Sequence, residues 1–149
     1  MIGVVGGGQL AMLLVQAGKK RDVDVVVQTA AKTDPAAKKT DEVILQHPTN
    51  ANGTKLLADK CHSITFENEW VDISSLLSLQ NKGVLFFPKL QSLRPLINKI
   101  TQRELLNSLD IPCPDWIPIP LEPSGEFNLP DEWSFPLMAK TARGGYDGK

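Results

Sequence analysis

At 149 residues, with 42% hydrophobic side chains, the chain is long enough to bury a real core and has the make-up of a soluble globular protein. Its 16 Lys and Arg against 17 Asp and Glu leave no basic excess for nucleic acid, and no apolar run is long enough to span a bilayer. Cys61 and Cys113 stand far apart without a CxxC pair, so reduced, partly buried thiols of a cytoplasmic protein are expected in place of disulfide or metal use. The first residues hold no charged region followed by an apolar one, so no secretory signal is expected.

Ile2, Val4 and Val5 make a short β-branched run that breaks into Gly6, Gly7 and Gly8 before an apolar helical pattern at Leu10, Leu13, Leu14 and Ala17. Strand, glycine turn and helix in this order open a Rossmann-like βαβ unit with anion affinity at the helix N-terminus. Gly6, Gly8 and Ala11 can fill the small-residue positions of a dinucleotide fingerprint. The next strand, 23–28, ends on Gln28, where an acidic residue would hold a ribose 2′-OH, and this speaks against a nicotinamide cofactor.

The alternation continues. Residues 34–37 read as a short helical turn, 42–45 as a strand, 50–60 as a helix with Leu56 and Leu57 inward, and 63–66 as a strand. Residues 72–80 place Ile73, Leu76 and Leu77 on one helical face, and 84–87 form a buried strand closed by Pro88. Strands alternating with helices imply an α/β fold with a parallel sheet, whose ligands gather beyond the C-terminal strand ends. Both Gly6 to Gln9 and the motif TFENEW at 65–70 lie there. Alternation points Glu67 and Glu69 to one side, where a carboxylate can accept hydrogen bonds from sugar hydroxyls or an amino group; a pair of solvated loop carboxylates is the alternative. Trp70 reads as a packing residue, and His47 and His62 lack metal-ligand company.

From 93 to 109 the pattern is helical, with Leu93, Leu96, Ile97, Ile100, Leu105, Leu106 and Leu109 on the apolar side and Lys99 and Arg103 forming an exposed basic stripe. The proline-rich stretch 111–130 suits a domain junction. Phe135, Leu137, Met138 and Ala139 then read as a buried strand that delivers Lys140 at its edge, followed by a loop with Gly144, Gly145 and Gly148 among Arg143 and Lys149. Glycines let backbone N–H groups converge on phosphate oxygens, and a lysine on a neighbouring strand adds fixed charge. Such a loop calls for a returning strand, so the chain reads as the front portion of a longer protein.

With GGGQL at 6–10, TFENE at 65–69, a basic helix before LDIPCP at 109–114, and AKTARGGYDGK at 139–149, the chain resembles the ATP-grasp superfamily. Within it the resemblance is greatest to the 5-(carboxyamino)imidazole ribonucleotide synthase family. The resemblance implies a Rossmann-like pre-ATP-grasp domain over 1–90, then a linker helix and the start of an ATP-grasp domain over 91–149. It further implies ATP-dependent carboxylation of aminoimidazole ribonucleotide with bicarbonate in purine synthesis, with Mg²⁺ whose ligands lie outside this chain, in a cytoplasmic homodimer. Carried over by position, Lys99 and Lys140 would contact ATP phosphates. Gly145, Tyr146, Asp147, Gly148 and Lys149 would cover them, with Tyr146, Asp147 and Lys149 also facing the carboxylating centre. Gly8, Gln9 and Glu67 would hold the imidazole nucleotide. The chain departs from the family pattern at Ala11, where glycine is usual, at Asn98-Lys99, where Asp-Arg is common, and at Trp70, where asparagine is common. Other readings are a non-catalytic mononucleotide-binding module, another ATP-grasp carboxylate-amine ligase, and an oxidoreductase.

Overall fold

β-branched runs and helix-compatible runs alternate through the first two-thirds of the chain, and a computed structural model shows how they assemble; it describes residues 1–119 and 128–144. Two compact units are formed, Met1–Ile97 and Asn98–Lys149. In the first, β1 (Ile2–Val5), β2 (Val25–Thr29), β3 (Glu42–Leu45), β4 (Ser63–Phe66) and β5 (Phe86–Phe87) pair in parallel in the order β3-β2-β1-β4-β5. Helices α1 (Gln9–Lys19), α2 (Ala51–Ala58) and α3 (Ile73–Asn81) supply crossovers. The chain runs outward from β1 to β3, then returns to lay β4 against the other side of β1. This reversal opens a crevice beyond the C-terminal ends of β1 and β4, the usual ligand position of an open parallel sheet.

Alternation along the strands divides the core between two faces. Val5, Val26 and Ile64 meet Leu57 of α2 and Ile73, Leu76 and Leu79 of α3, while Val4 and Val27 meet Ala11 and Val15 of α1 and Ala36. The rings of Phe66 and Phe86 stack 5.7 Å apart. Helix α1 turns its small residues inward. Ala11, Val15 and Gly18 are buried, and a Cβ on Gly18 would lie 2.7 Å from the Val23 carbonyl oxygen, so the helix rides close to the sheet. The leucines of the apolar helical pattern therefore lie on the outer side: Leu10, Leu13 and Leu14 are exposed.

The same geometry corrects two smaller expectations. Adjacent helical residues point about 100° apart, so only one of Leu56 and Leu57 can face the sheet; Leu57 does, and Leu56 is exposed. In α3 the inward line is Ile73, Leu76 and Leu79, and Leu77 lies at the rim. Residues 34–40 make helical-type bonds, Lys38 N to Asp34 O and Thr40 N to Ala36 O, without becoming a helix. β5 is shorter than the expected 84–87 because the Val84 amide bonds back to Leu79 O, and Leu85 and Phe87 are exposed.

The single helix expected over 93–109 is broken. α4 (Leu90–Leu93) passes into a 3₁₀ turn at Arg94–Ile97, then α5 (Lys99–Ser108) begins anew. Pro95 has no N–H to give a continuous helix, and the extended Asn98 caps α5 by accepting from Ile100 N at 2.8 Å. Lys99 and Arg103 are both half-buried rather than a fully solvated stripe.

In the second unit the expected buried strand at 135–139 is absent. No strand occurs among the described residues 128–144, and Phe135 and Met138 are 80% and 81% exposed. An apolar run becomes a strand only when a neighbour accepts and donates along its backbone. This segment has no such neighbour among the described residues, and Pro136 removes one donor. Lys140 accordingly sits in an exposed irregular segment and not at a strand edge. No helix among the described residues is long and apolar enough to cross a membrane.

Candidate functional site

Leaving β1, the chain turns at Gly6, whose φ of +119 is a conformation that suits glycine. Leaving β4, the Glu67 amide bonds to Val5 O at 2.9 Å, which sets its side chain beside that turn. The Glu67 carboxylate then accepts from Gly8 N at 2.7 Å through Oε2, with Oε1 3.4 Å from Ala11 N. The glycines make room for it. A Cβ on Gly6 would stand 2.5 Å from Glu67 Cβ, and one on Gly8 would collide with Oε1.

Gly7 is closed in from the other side. Its carbonyl accepts from Ala36 N at 2.9 Å, and a Cβ there would strike Thr29 Oγ1. Thr29 donates to Asp34 Oδ2, which also accepts from Ala31 N at 3.3 Å. Sequence reasoning does not single out Thr29 and Asp34. The available signal was a threonine ending a strand with an Asp-Pro turn shortly after it.

Gln9, the first residue of α1, is exposed at this crevice. Gly8, Gln9 and Glu67 are thus brought together as expected of a polar binding edge. A carboxylate and a carboxamide at one rim can accept from hydroxyl or amino hydrogens and donate to a neutral acceptor.

Gln28 is sealed inside. Its Nε2 donates to His47 O at 2.9 Å and Asn50 O at 3.0 Å, and its Oε1 accepts from Thr54 Oγ1 at 2.8 Å. The position that would meet a ribose in a dinucleotide site is here a pin between β2 and α2. Glu69 lies past the strand among bends, where alternation no longer governs direction, and Trp70, expected to pack, is 41% exposed. The His47 ring pairs with Thr49 Oγ1 at 2.7 Å. Among the described residues no group of three or more His, Cys, Asp or Glu could hold a metal ion. Both cysteines are free thiols, and burial pushes the Cys61 pKa up, which keeps it protonated.

In the second unit Lys99 opens α5 and binds residues 142–144 twice: Lys99 N donates to Ala142 O at 2.8 Å and Nζ to Gly144 O at 2.6 Å. Lys99 and the beginning of the glycine loop therefore belong to one constellation. Lys140 is exposed, in an irregular segment two residues before Ala142. Gly145, Tyr146, Asp147, Gly148 and Lys149 lie outside the described residues.

The family model described as the ribonucleotide synthetase preATP-grasp domain matches residues 1–96. The N5-carboxyaminoimidazole ribonucleotide synthase of a Synechocystis strain is 41% identical over 148 residues, which cover 99% of this chain and 37% of that protein. The crystal structure of the corresponding synthetase from Thermotoga maritima superposes with a TM-score of 0.69 at 29% identity, covering 76% of this chain and 32% of that one. The synthase from Aspergillus clavatus, solved in complex with ADP and 5-aminoimidazole ribonucleotide, gives a TM-score of 0.65 at 30% identity over 72% of this chain and 29% of that one. The chain spans little more than a third of the length of the Synechocystis protein.

Proposed function

Because the chain belongs to the ribonucleotide synthetase pre-ATP-grasp family, with its Rossmann-like parallel sheet, we propose that it works in an ATP-dependent ligase that carboxylates 5-aminoimidazole ribonucleotide in purine synthesis. The observation that carries this reading is the seat of Glu67. A carboxylate fixed 2.7 Å from Gly8 N, beside an exposed Gln9 at the crevice of the sheet, is suited to holding the hydroxyl or amino hydrogens of a ribonucleotide. The relatives named above are by name N5-carboxyaminoimidazole synthases or synthetases, and one was solved with ADP and 5-aminoimidazole ribonucleotide bound.

In the proposed reaction bicarbonate oxygen attacks the γ-phosphorus of ATP, the bond to the bridging oxygen breaks, and ADP leaves. The resulting carboxyphosphate passes its carboxyl group to the amine of the ribonucleotide, which loses a proton, and inorganic phosphate departs. Phosphoryl transfer is chiefly positioning and charge neutralisation. Lys99 and Lys140 are the cations offered to the phosphates, and Lys99 also fastens Gly144 at the entrance to the loop. Gly145, Tyr146, Asp147, Gly148 and Lys149 are proposed to cover the phosphates and keep water from carboxyphosphate. Mg²⁺ with ATP, bicarbonate as carboxyl source and a cytoplasmic homodimer complete the reading, each supported by the family resemblance.

The test is a chimera in which this chain replaces the matched 37% of the Synechocystis synthase. ADP formation that requires both aminoimidazole ribonucleotide and bicarbonate is expected, and Lys140→Ala should lower it roughly a hundredfold or more. A folded chimera that leaves ATP intact with both small substrates present, or a Lys140→Ala variant with unchanged turnover, would overturn the proposal.

A further inference from the structure

A glycine turn running into a helix is the place where Rossmann-like folds usually hold a phosphate, since free N–H groups and the positive end of the helix dipole converge there. In α1 this charge is not met locally. Its N-cap is Gly8, which offers no side-chain cap, and its first turn holds no acidic residue. The complement comes from 59 positions along the chain, where the Glu67 carboxylate takes the Gly8 N–H at 2.7 Å and faces Ala11 N at 3.4 Å. Its contact with the turn is tight, because Glu67 Cβ and Oε1 fill the space that a Cβ on Gly6 or Gly8 would need. A second carboxylate, Asp34, backs the same turn, with its Cβ 3.1 Å from the position of a Cβ on Gly7.

We infer that Glu67 is a specificity-determining residue, an internal anion that fills the phosphate position at the N-terminus of α1 and keeps dinucleotides and free phosphate off the Gly6 to Gly8 turn. A phosphate entering there would have to displace a carboxylate already bonded to the N–H it seeks, and would approach two groups of its own charge. The turn is thereby a rigid mount for Gln9 and not a phosphate cradle. This inference shares the seat of Glu67 with the function proposed above but not its reaction, so phosphate binding at the turn and ribonucleotide-dependent ATP turnover test the two separately.

The experiment follows the backbone amides of Gly7, Gly8, Gln9 and Ala11 by nuclear magnetic resonance in the whole chain during titration with inorganic phosphate and, separately, with NADH. The unchanged protein should show no saturable shift at these amides. Glu67→Ala opens the position and should bind phosphate at least about tenfold more tightly, with the shifts centred on Gly8 to Ala11. Glu67→Gln keeps the shape, removes the charge and should gain less. Saturable phosphate binding by the unchanged protein at these amides, or the absence of any gain in a folded Glu67→Ala protein, would overturn the inference. Should Glu67→Ala fail to fold, Glu67→Gln decides, and its failure to gain affinity overturns the inference as well.

Discussion

The two units hold their candidate residues in different ways. In the first, Gly8, Gln9 and Glu67 stand at the ends of strands and a helix that are packed on both faces, and the carboxylate is bonded to the backbone it serves. In the second, Lys140 lies in an exposed segment without a strand, and order near the loop comes from two bonds made by Lys99. A polar group inherits its precision from whatever its backbone is paired with. The sheet fixes the backbone around Glu67, whereas among the described residues of the second unit the bonds of Lys99 to Ala142 and Gly144 do that work.

The largest test of that contrast is truncation of an apolar side chain in each unit. Leu57 is fully buried, and its Cγ lies 2.7 Å from where a Cβ on Gly3 would be, so Leu57→Ala should cost roughly 2 to 5 kcal/mol of unfolding free energy. Met138, although part of an equally apolar run, should change stability by no more than about 0.5 kcal/mol as Met138→Ala. Urea denaturation of both variants gives the comparison. Equal losses would mean that 135–139 is packed after all.

Next comes the pin at Gln28. Gln28→Leu leaves the Thr54 hydroxyl without its acceptor and takes one of their donors from the carbonyls of His47 and Asn50, which keep the backbone amides of Asn50 and of Gly53 and Thr54, at a cost of roughly 1 to 3 kcal/mol. Adding Thr54→Val should recover part of that loss, because one orphaned polar group disappears. A double variant less stable than the sum of the two single changes would show that Gln28 and Thr54 are not coupled as the geometry requires.

These residues also show what the sequence made legible. The β-branched runs at Ile2–Val5 and Val25–Thr29, each followed by turn residues, announced a parallel sheet, and the glycines and TFENE pointed to its C-terminal edge as the candidate site. Glu67 could be placed at that edge but not aimed. Its contact with Gly8 arises from the pairing of β1 with β4, a long-range fact that local pattern does not carry. Leucine positions do not mark the inner side of α1, because small residues, Ala11 and Gly18, are what a closely packed helix turns inward. The run at 135–139 misled for the opposite reason: apolar composition states a preference for burial without saying whether a partner is there.

A smaller effect is expected at Lys99, where the second unit can be loosened without touching the first. Lys99→Met keeps the stem and removes the ammonium that holds Gly144 O. The loss should be about 1 kcal/mol, equivalent to about fivefold faster hydrogen exchange at the Lys99 amide, which is bonded to Ala142 O. Amides of β1 and β2 should be unaffected. Equal acceleration in both units would mean that they open as one.

The smallest effect, at Asp72, sharpens the comparison through pH. Asp72 caps α3, accepting from Ser75 Oγ and, at 3.3 Å, from Ser75 N, and these hydrogen bonds hold its carboxyl below the usual carboxylate range. A depressed folded-state pKa means stability that is fully present above the unfolded value and lost as pH falls through the folded one. The carboxylate is exposed, so solvent screening limits the gain to about 0.5 kcal/mol. Asp72→Ala should therefore lie slightly below the unchanged protein in urea midpoint at pH 7 and converge with it in acid, below the ordinary carboxylate pKa. Asp72→Asn keeps a cap oxygen while removing the titrating group, so it should retain part of the stability and lose its pH dependence. A difference between Asp72→Ala and the unchanged protein that persists undiminished in acid would assign the cap to geometry alone, with no contribution from charge.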